Sequence, residues 1–171
     1  MKKKNIRIHC CCAPCSSYVI EFLASDFNIT CLYYNPCITD KSEYYKRLGE
    51  FEKLPNEITV IDGGYSPDEF LNAVKGYENE PEQGERCKIC FKMRLAKTFE
   101  FKEKLKFENF TTTLTVSPHK NAAVINSIGA ELNGYLPSDF KKKDGYKRSI
   151  ELSKQYGLYR QVYCGCEFSK R

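Results

Sequence analysis

The sequence predicts an α/β protein with a mostly parallel sheet and helices on both of its faces. Three observations carry this. Short apolar runs alternate with segments of helical period, the runs close at turn residues, and helix-start signals follow. Asn5 to Cys11 reads as a short buried strand, and Pro14 then opens a helix through Ser17-Tyr18-Val19-Ile20-Glu21-Phe22-Leu23. Proline suits that first position because the amide hydrogen it lacks would have no partner there. A second strand, Ile29 to Tyr34, stops at Asn35-Pro36, and Ser42 to Lys53 has a helical pattern. Glu57 to Ile61 reads as a third strand closed by Gly63-Gly64, and Ser66-Pro67-Asp68-Glu69 as a helix start before Phe70, Leu71 and Val74. After an acidic loop, Gly76 to Glu85, a helix begins near Cys87 and carries Phe91, Leu95 and Phe99. Another strand, Phe110 to Val116, ends at Ser117-Pro118, followed by a helix from about Asn121 to Leu132. A basic C-terminal extension with one helix, Tyr146 to Tyr156, completes the chain, and residues 1–171 are expected to form a single domain.

No apolar run approaches the roughly 18 to 20 residues that span a bilayer. Met1-Lys2-Lys3-Lys4 has the charge of a signal peptide's start, but cysteines stand where its apolar centre would be. The expectation is a cytoplasmic protein with no membrane partner. Its ten cysteines then sit in a reducing compartment, where metal binding or catalysis explains them better than disulfide staples. They also cluster: four lie between positions 10 and 15, two at 87 and 90, and two at 164 and 166.

The net charge of +5 is local. From Asp139 to Arg171 nine Lys and Arg face four acids, while the rest of the chain balances at eighteen of each. A basic tail favours a polyanion such as nucleic acid, although a solvated lysine face reads the same way.

His9-Cys10-Cys11-Cys12-Ala13-Pro14-Cys15 lies where the first strand becomes a helix. A helix N-terminus stabilises thiolate, the form that ligates metal. Cys87-Lys88-Ile89-Cys90 puts two more thiols one turn apart at another helix start. Four thiolates suit zinc or an iron–sulfur cluster. The vicinal Cys11-Cys12 pair chelates a single tetrahedral ion poorly, because successive side chains diverge, so the cluster is favoured. Cys164-Gly165-Cys166 can close into a strained, redox-labile disulfide or add metal ligands. Cys10 and Cys31 read as small buried hydrophobes. Cys15 and Cys37 read as free thiols, with a second metal ion as the alternative, and His9 as a core histidine or a proton donor. Two other classes fit some of these features: a zinc-binding RNA-binding module and a thioredoxin-like dithiol oxidoreductase.

Five separated motifs carry a resemblance. They are His9-x-Cys11-Cys12-Ala13-Pro14-Cys15; Tyr34-Asn35-Pro36; Glu80-Pro81 leading to Arg86-Cys87-x-x-Cys90-Phe91-x-x-Arg94-Leu95; Thr112-Thr113-Leu114 with Ser117-Pro118-x-Lys120; and Leu158-Tyr159-Arg160-Gln161-x-Tyr163-Cys164-Gly165-Cys166. In this order they resemble the QueH-type epoxyqueuosine reductases essentially from end to end. The resemblance implies a HUP-type, nucleotide-hydrolase-like α/β fold. It implies reduction of the epoxide of epoxyqueuosine at the tRNA wobble position, the last step of queuosine synthesis, without cobalamin. It puts a 4Fe-4S cluster on Cys11, Cys12, Cys87 and Cys90, and a redox-active disulfide on Cys164 and Cys166. One departure is Cys37, where the resemblance leads one to expect Asn.

Such a reaction needs two electrons, two protons and an electron donor. His9, Asp139 or a tyrosine are the candidate proton donors. A Lewis-acid metal near the cluster is a candidate to polarise the epoxide oxygen. Lys120, Arg148 and Arg160 are the candidate contacts to tRNA phosphates, with plain solvated charge as the alternative for each.

Overall fold

The computed structural model describes residues 2–55 and 58–170. At its centre is a strand, β1 (Lys4–Cys10), in which Ile6 to Cys10 are all buried. That burial follows from position: β1 pairs in parallel with β2 (Phe27–Tyr33) on one side and β4 (Asn109–Thr112) on the other. β3 (Thr59–Asp62) extends the sheet beyond β2, giving four parallel strands in the order β3-β2-β1-β4. Ile6, Ile8 and Cys10 join the main core with residues of α1 (Ala13–Leu23). By strand alternation Arg7 and His9 face the opposite layer, where α4 (Glu85–Lys104) packs on β1 and β4. Both faces of the sheet centre are therefore covered, as parallel sheets require.

The remaining helices are α2 (Lys41–Gly49), α3 (Pro67–Ala73), α5 (Ala122–Gly129) and α6 (Gly145–Tyr156). The chain steps from β1 through β2 to β3, then returns through α3 and α4 to lay β4 on the far side of β1. The direction of winding reverses between β1 and β4, and ligands in open α/β sheets bind at the strand ends beside such a reversal.

The local signals mostly hold, and the exceptions have causes. Asp40 caps α2 through Glu43 N–H at 2.9 Å, and the helical segment then tightens into a 3-10 turn over Glu50–Lys53. Asn121 caps α5, accepting from Ala123 and Val124 N–H. Ser66 makes no side-chain cap, and α3 begins without one. The start of the expected third strand, Glu57, lies outside the described residues. The fourth strand ends earlier than its apolar pattern suggests. Thr112 Oγ1 accepts from Leu114 N–H at 3.1 Å and Thr113 N–H donates to the His9 carbonyl at 2.9 Å, turning Leu114–Val116 into a 3-10 helix. Threonine hydroxyls compete here with the strand ladder for backbone partners.

With no Trp, tyrosines fill the core beneath α2. The Tyr33 ring lies 4.9 Å from Tyr44 and 5.8 Å from Phe51, and its hydroxyl donates to the Tyr44 carbonyl at 3.0 Å. The C-terminal segment is tied down. Cys166 forms an antiparallel bridge with Ile38, and the Phe168 ring packs against Phe70 and under the Arg86 guanidinium. Among the described residues no helix is long and apolar enough to cross a membrane.

Candidate metal and redox centre

Cys11 is the first residue past β1, at the winding reversal. Its N–H donates to Thr113 Oγ1 at 3.1 Å, and that hydroxyl donates to Cys11 Sγ at 3.3 Å. Cys12 is the extended N-cap of α1, and Cys15 follows in the first helical turn. The three sulfurs all lie within 4.8 Å of one another. Hydrogen bonds from the Cys12 and Cys15 thiols, helped by the Lys120 ammonium, hold Cys11 well below the usual thiol pKa. The helix N-terminus acts in the same direction.

A second set is built at the start of α4. Cys87 Sγ accepts from Gln83 N–H at 3.3 Å, and Cys90, one turn on, is buried. Cys90 shares a hydrogen bond with Cys37, which with the Arg94 charge brings Cys37 down to about 7. The Arg94 guanidinium, 3% exposed, donates directly to Cys37 Sγ. Burial alone would lower the Arg94 pKa, but Cys37, Cys90 and Cys11 around it raise it. Cys37 thus belongs to the centre and is paired with a buried cation.

The third set is Cys164 and Cys166. A hydrogen bond from Cys166 brings Cys164 down to about 5, while Cys166 is pushed up. The pair therefore shares one proton, and all ten cysteines are unbridged thiols. Arg47, whose side chain is 2% exposed, anchors this strap by donating to the carbonyls of Cys164 at 2.9 Å and Tyr163 at 3.1 Å. Glu43 holds Arg47 at 2.7 Å. Gly165 has φ of +107°, and a Cβ on it would lie 2.5 Å from Ile38 Cγ1. Gly165→Ala is accordingly expected to cost about 1–3 kcal/mol of stability and to raise the alkylation rate of Cys164 and Cys166. Denaturant unfolding and timed thiol labelling would check both effects, and unchanged labelling would mean the strap tolerates the methyl group.

The three sets converge. A cavity of about 160 Å³ is lined by Cys11, Cys12, Cys15 and Cys164, with Arg47, Arg94, Lys120, Tyr146, Arg160 and Tyr163 among its walls. A smaller one of about 30 Å³ is lined by Cys37, Cys87, Cys90, Cys164 and Cys166. Glu82, Arg94, His119, Lys120 and Cys164 border both, so eight of the ten cysteines surround one divided cleft. Cys10 and Cys31 are fully buried in the core.

The other candidates fall into place around this cleft. His9 is fully buried. Its Nε2–H donates to the Tyr34 carbonyl at 2.9 Å, so Nδ1 accepts from Thr112 Oγ1 at 3.0 Å. Burial, and then the Arg94 charge, push its pKa down to about 4. With both nitrogens engaged, His9 is a strut at the end of β1 and has no proton to offer the cleft. Asp139 borders neither thiol cavity and pairs with Lys141 at 2.9 Å. Arg148 is bound to Glu21 on α1 at 2.7 Å and to Glu151 at 3.2 Å. Lys120 and Arg160 do line the cleft.

Sequence reasoning quoted Arg94 and Thr113 within motifs but gave them no role, and passed over Arg47 and His119. Arg94 had a signal, since it follows Cys90 by one helical turn on the same face. Arg47 had none: its partner Cys164 is 117 residues away.

Cys11, Cys12 and Cys15 could bind a metal ion. The soft sulfurs at the two helix starts, with buried Arg94 and adjacent Lys120 to offset negative charge, are compatible with an iron–sulfur cluster. The sequence model of the family described as epoxyqueuosine reductase QueH matches residues 6–171. The chain is 41% identical to the epoxyqueuosine reductase QueH of Streptococcus pyogenes serotype M1, across 99% of this chain and 71% of that protein. It is 39% identical to the protein of the same name from Staphylococcus epidermidis, across 98% of this chain and 77% of the relative. For the Thermotoga maritima protein of that name the identity is 36%, across 96% and 90%. With the family's model matched over residues 6–171 and eight of its ten thiols gathered at one cleft, the chain belongs to the epoxyqueuosine reductase QueH family.

Proposed function

We propose that this chain reduces the epoxide of epoxyqueuosine in tRNA to the alkene of queuosine, releasing the oxygen as water. The observation that carries this is the convergence of thiols from three distant segments on one cleft, in a chain of that family. Cys11, Cys12, Cys87 and Cys90 would hold a 4Fe-4S cluster, which when bound supplies electrons singly. Arg94 and Lys120 offset the negative charge that such a ligand set gathers. A second mononuclear metal ion would draw on Cys15, which lies with Cys11 and Cys12, or on Cys37, which lies with Cys90.

The Cys164/Cys166 pair can supply both electrons of the reaction. Closing the thiolate–thiol pair to a disulfide releases two electrons and one proton, and with one further proton one epoxide becomes one alkene and one water. Cys164 holds the thiolate that begins such a closure and Cys166 the thiol proton. The second proton comes from the wall of the cleft, where Tyr146 and Tyr163 are the tyrosines within reach and replace His9 and Asp139 as the favoured donors. An external electron donor must reduce the pair between turnovers. Lys120 and Arg160 meet the RNA backbone at the mouth; Arg148 does not line the cleft and pairs with Glu21 at the surface.

The parallel order β3-β2-β1-β4 is in keeping with a HUP-type fold with a basic C-terminal extension, and we read residues 1–171 as one enzyme domain. A cytoplasmic location is in keeping with cysteines gathered at a metal and redox site and not spread as disulfide staples. The test is anaerobic incubation of the protein and a reductant with tRNA carrying epoxyqueuosine, with the nucleoside mass read out. Loss of one oxygen atom is the expected result. Colourless protein with tightly bound zinc and no conversion would favour an RNA-binding module, and dithiol exchange without iron would favour a thioredoxin-like enzyme.

A further inference from the structure

Away from the thiols the surface carries a second recess of about 350 Å³, walled by Phe22, Leu136 and Phe140 and rimmed by Lys142 and Lys143. Phe22 is 49% exposed, although its ring packs edge-on against Phe140 at 5.9 Å and beside Tyr18 at 5.9 Å. An aromatic ring braced by two others, yet left half in water, is a rigid apolar face without a partner.

The rim is basic. Its one acid, Asp139, pairs with Lys141 at 2.9 Å and approaches Lys142 at 3.9 Å, and the Lys142 side chain stays 78% exposed. Lys143 has no ion pair among the described residues. Lys143 and Asp144 take φ of 53° and 60° although neither is glycine. Left-handed backbone is uncommon at residues other than glycine, and strain of this kind collects at binding sites.

The recess neighbours the cleft through shared residues: Pro118 and Lys120 border both the cleft and a shallow depression that includes Asp139 and Lys141, and Asp139 in turn borders the recess.

We propose that this recess seats an unstacked nucleobase of the same RNA whose modified nucleoside enters the thiol cleft. The inference rests on the RNA substrate proposed above and adds a second subsite to it. Aromatic floors with basic rims are how single-stranded loops are held: the ring stacks on a base and the lysines meet the phosphates. An acidic peptide would use the lysines but leave the ring unexplained. Ile6 lines the recess and Cys11 the cleft, five residues apart in the sequence, or roughly 16 Å along the strand. The base in the recess is thus a few nucleotides from the one being reduced, within the same loop.

The test measures binding of an anticodon stem-loop RNA to the anaerobic, cofactor-loaded protein across a salt series. Phe22→Ala should weaken binding roughly tenfold, as expected for one lost base–aromatic stack, and Phe22→Tyr should restore it. Lys143→Gln should lower the slope of log affinity against log salt by about one. Thiol-cleft absorbance should be unchanged in all three proteins. Wild-type affinity in Phe22→Ala, or an equal loss on a fully duplex RNA without a loop, would overturn the base pocket. In that case turnover on tRNA would still leave the reductase reading standing. A wild-type protein that binds no stem-loop and converts no tRNA would overturn both.

Discussion

Cys90→Ala protein, reconstituted without oxygen, is expected to lose most of its iron and visible absorbance, and its epoxide-reducing turnover with them. Cys90 is buried at the first turns of α4, shares a hydrogen bond with Cys37 and lies beside the Arg94 charge. Removing it takes away one of the four proposed soft ligands. It also leaves the buried Arg94 guanidinium with less negative charge around it, an electrostatic change that does not replace the missing ligand. Cys31→Ala is the matching control, because Cys31 is equally buried but lies mid-strand in β2 and away from the cleft. It should cost about 1 kcal/mol in denaturant unfolding and leave the iron untouched. Cys15→Ala separates two ligand sets. Cys11, Cys12 and Cys15 form the tightest sulfur group, within 4.8 Å. If Cys15→Ala loses its iron while Cys90→Ala keeps it, the ligands are that trio and not the pair on α4.

Cys166→Ser protein is expected to keep its iron and its RNA affinity while turnover falls by at least about a hundredfold, the low end of what losing a reacting group costs. The reasoning turns on how the two kinds of thiol fail. A lost ligand removes the cofactor, whereas a lost half of a dithiol removes only electron delivery. Serine can still donate a hydrogen bond to the Cys164 thiolate, so the strap and its Arg47 anchor should stay in place. Thiol trapping of wild-type protein should find the pair reduced before a single turnover and bridged after it. Iron loss in Cys166→Ser would make that thiol a ligand. Full-rate turnover with a strong one-electron donor would make the pair redundant.

The chain's own pattern determined a good deal. Alternating apolar runs and helix starts specified a parallel α/β sheet, because a strand such as Ile6 to Cys10 is buried on both faces only in that setting. The crowding of cysteines beside Pro14 and at Cys87 marked two helix N-termini as thiol sites, since spacing within one turn is a local property. Local pattern failed where a side chain competed with the backbone. Nothing in Phe110 to Val116 announces that Thr112 and Thr113 will end the strand and hold Cys11 from behind.

Only the tertiary structure decided which thiols meet. The winding reversal brings the end of β1 toward the start of α4, and Arg47 ties Cys164 to a helix 117 residues earlier. It also decided that His9 is a strut, because the two groups that occupy its nitrogens come from β4 and from the loop after β2. It also placed Arg148 beside Glu21, 127 residues away, in an exposed ion pair outside the cleft. A residue type can announce its chemistry from the sequence, but whether its polar atoms remain available depends on partners that only the folded chain brings within 3 Å or so.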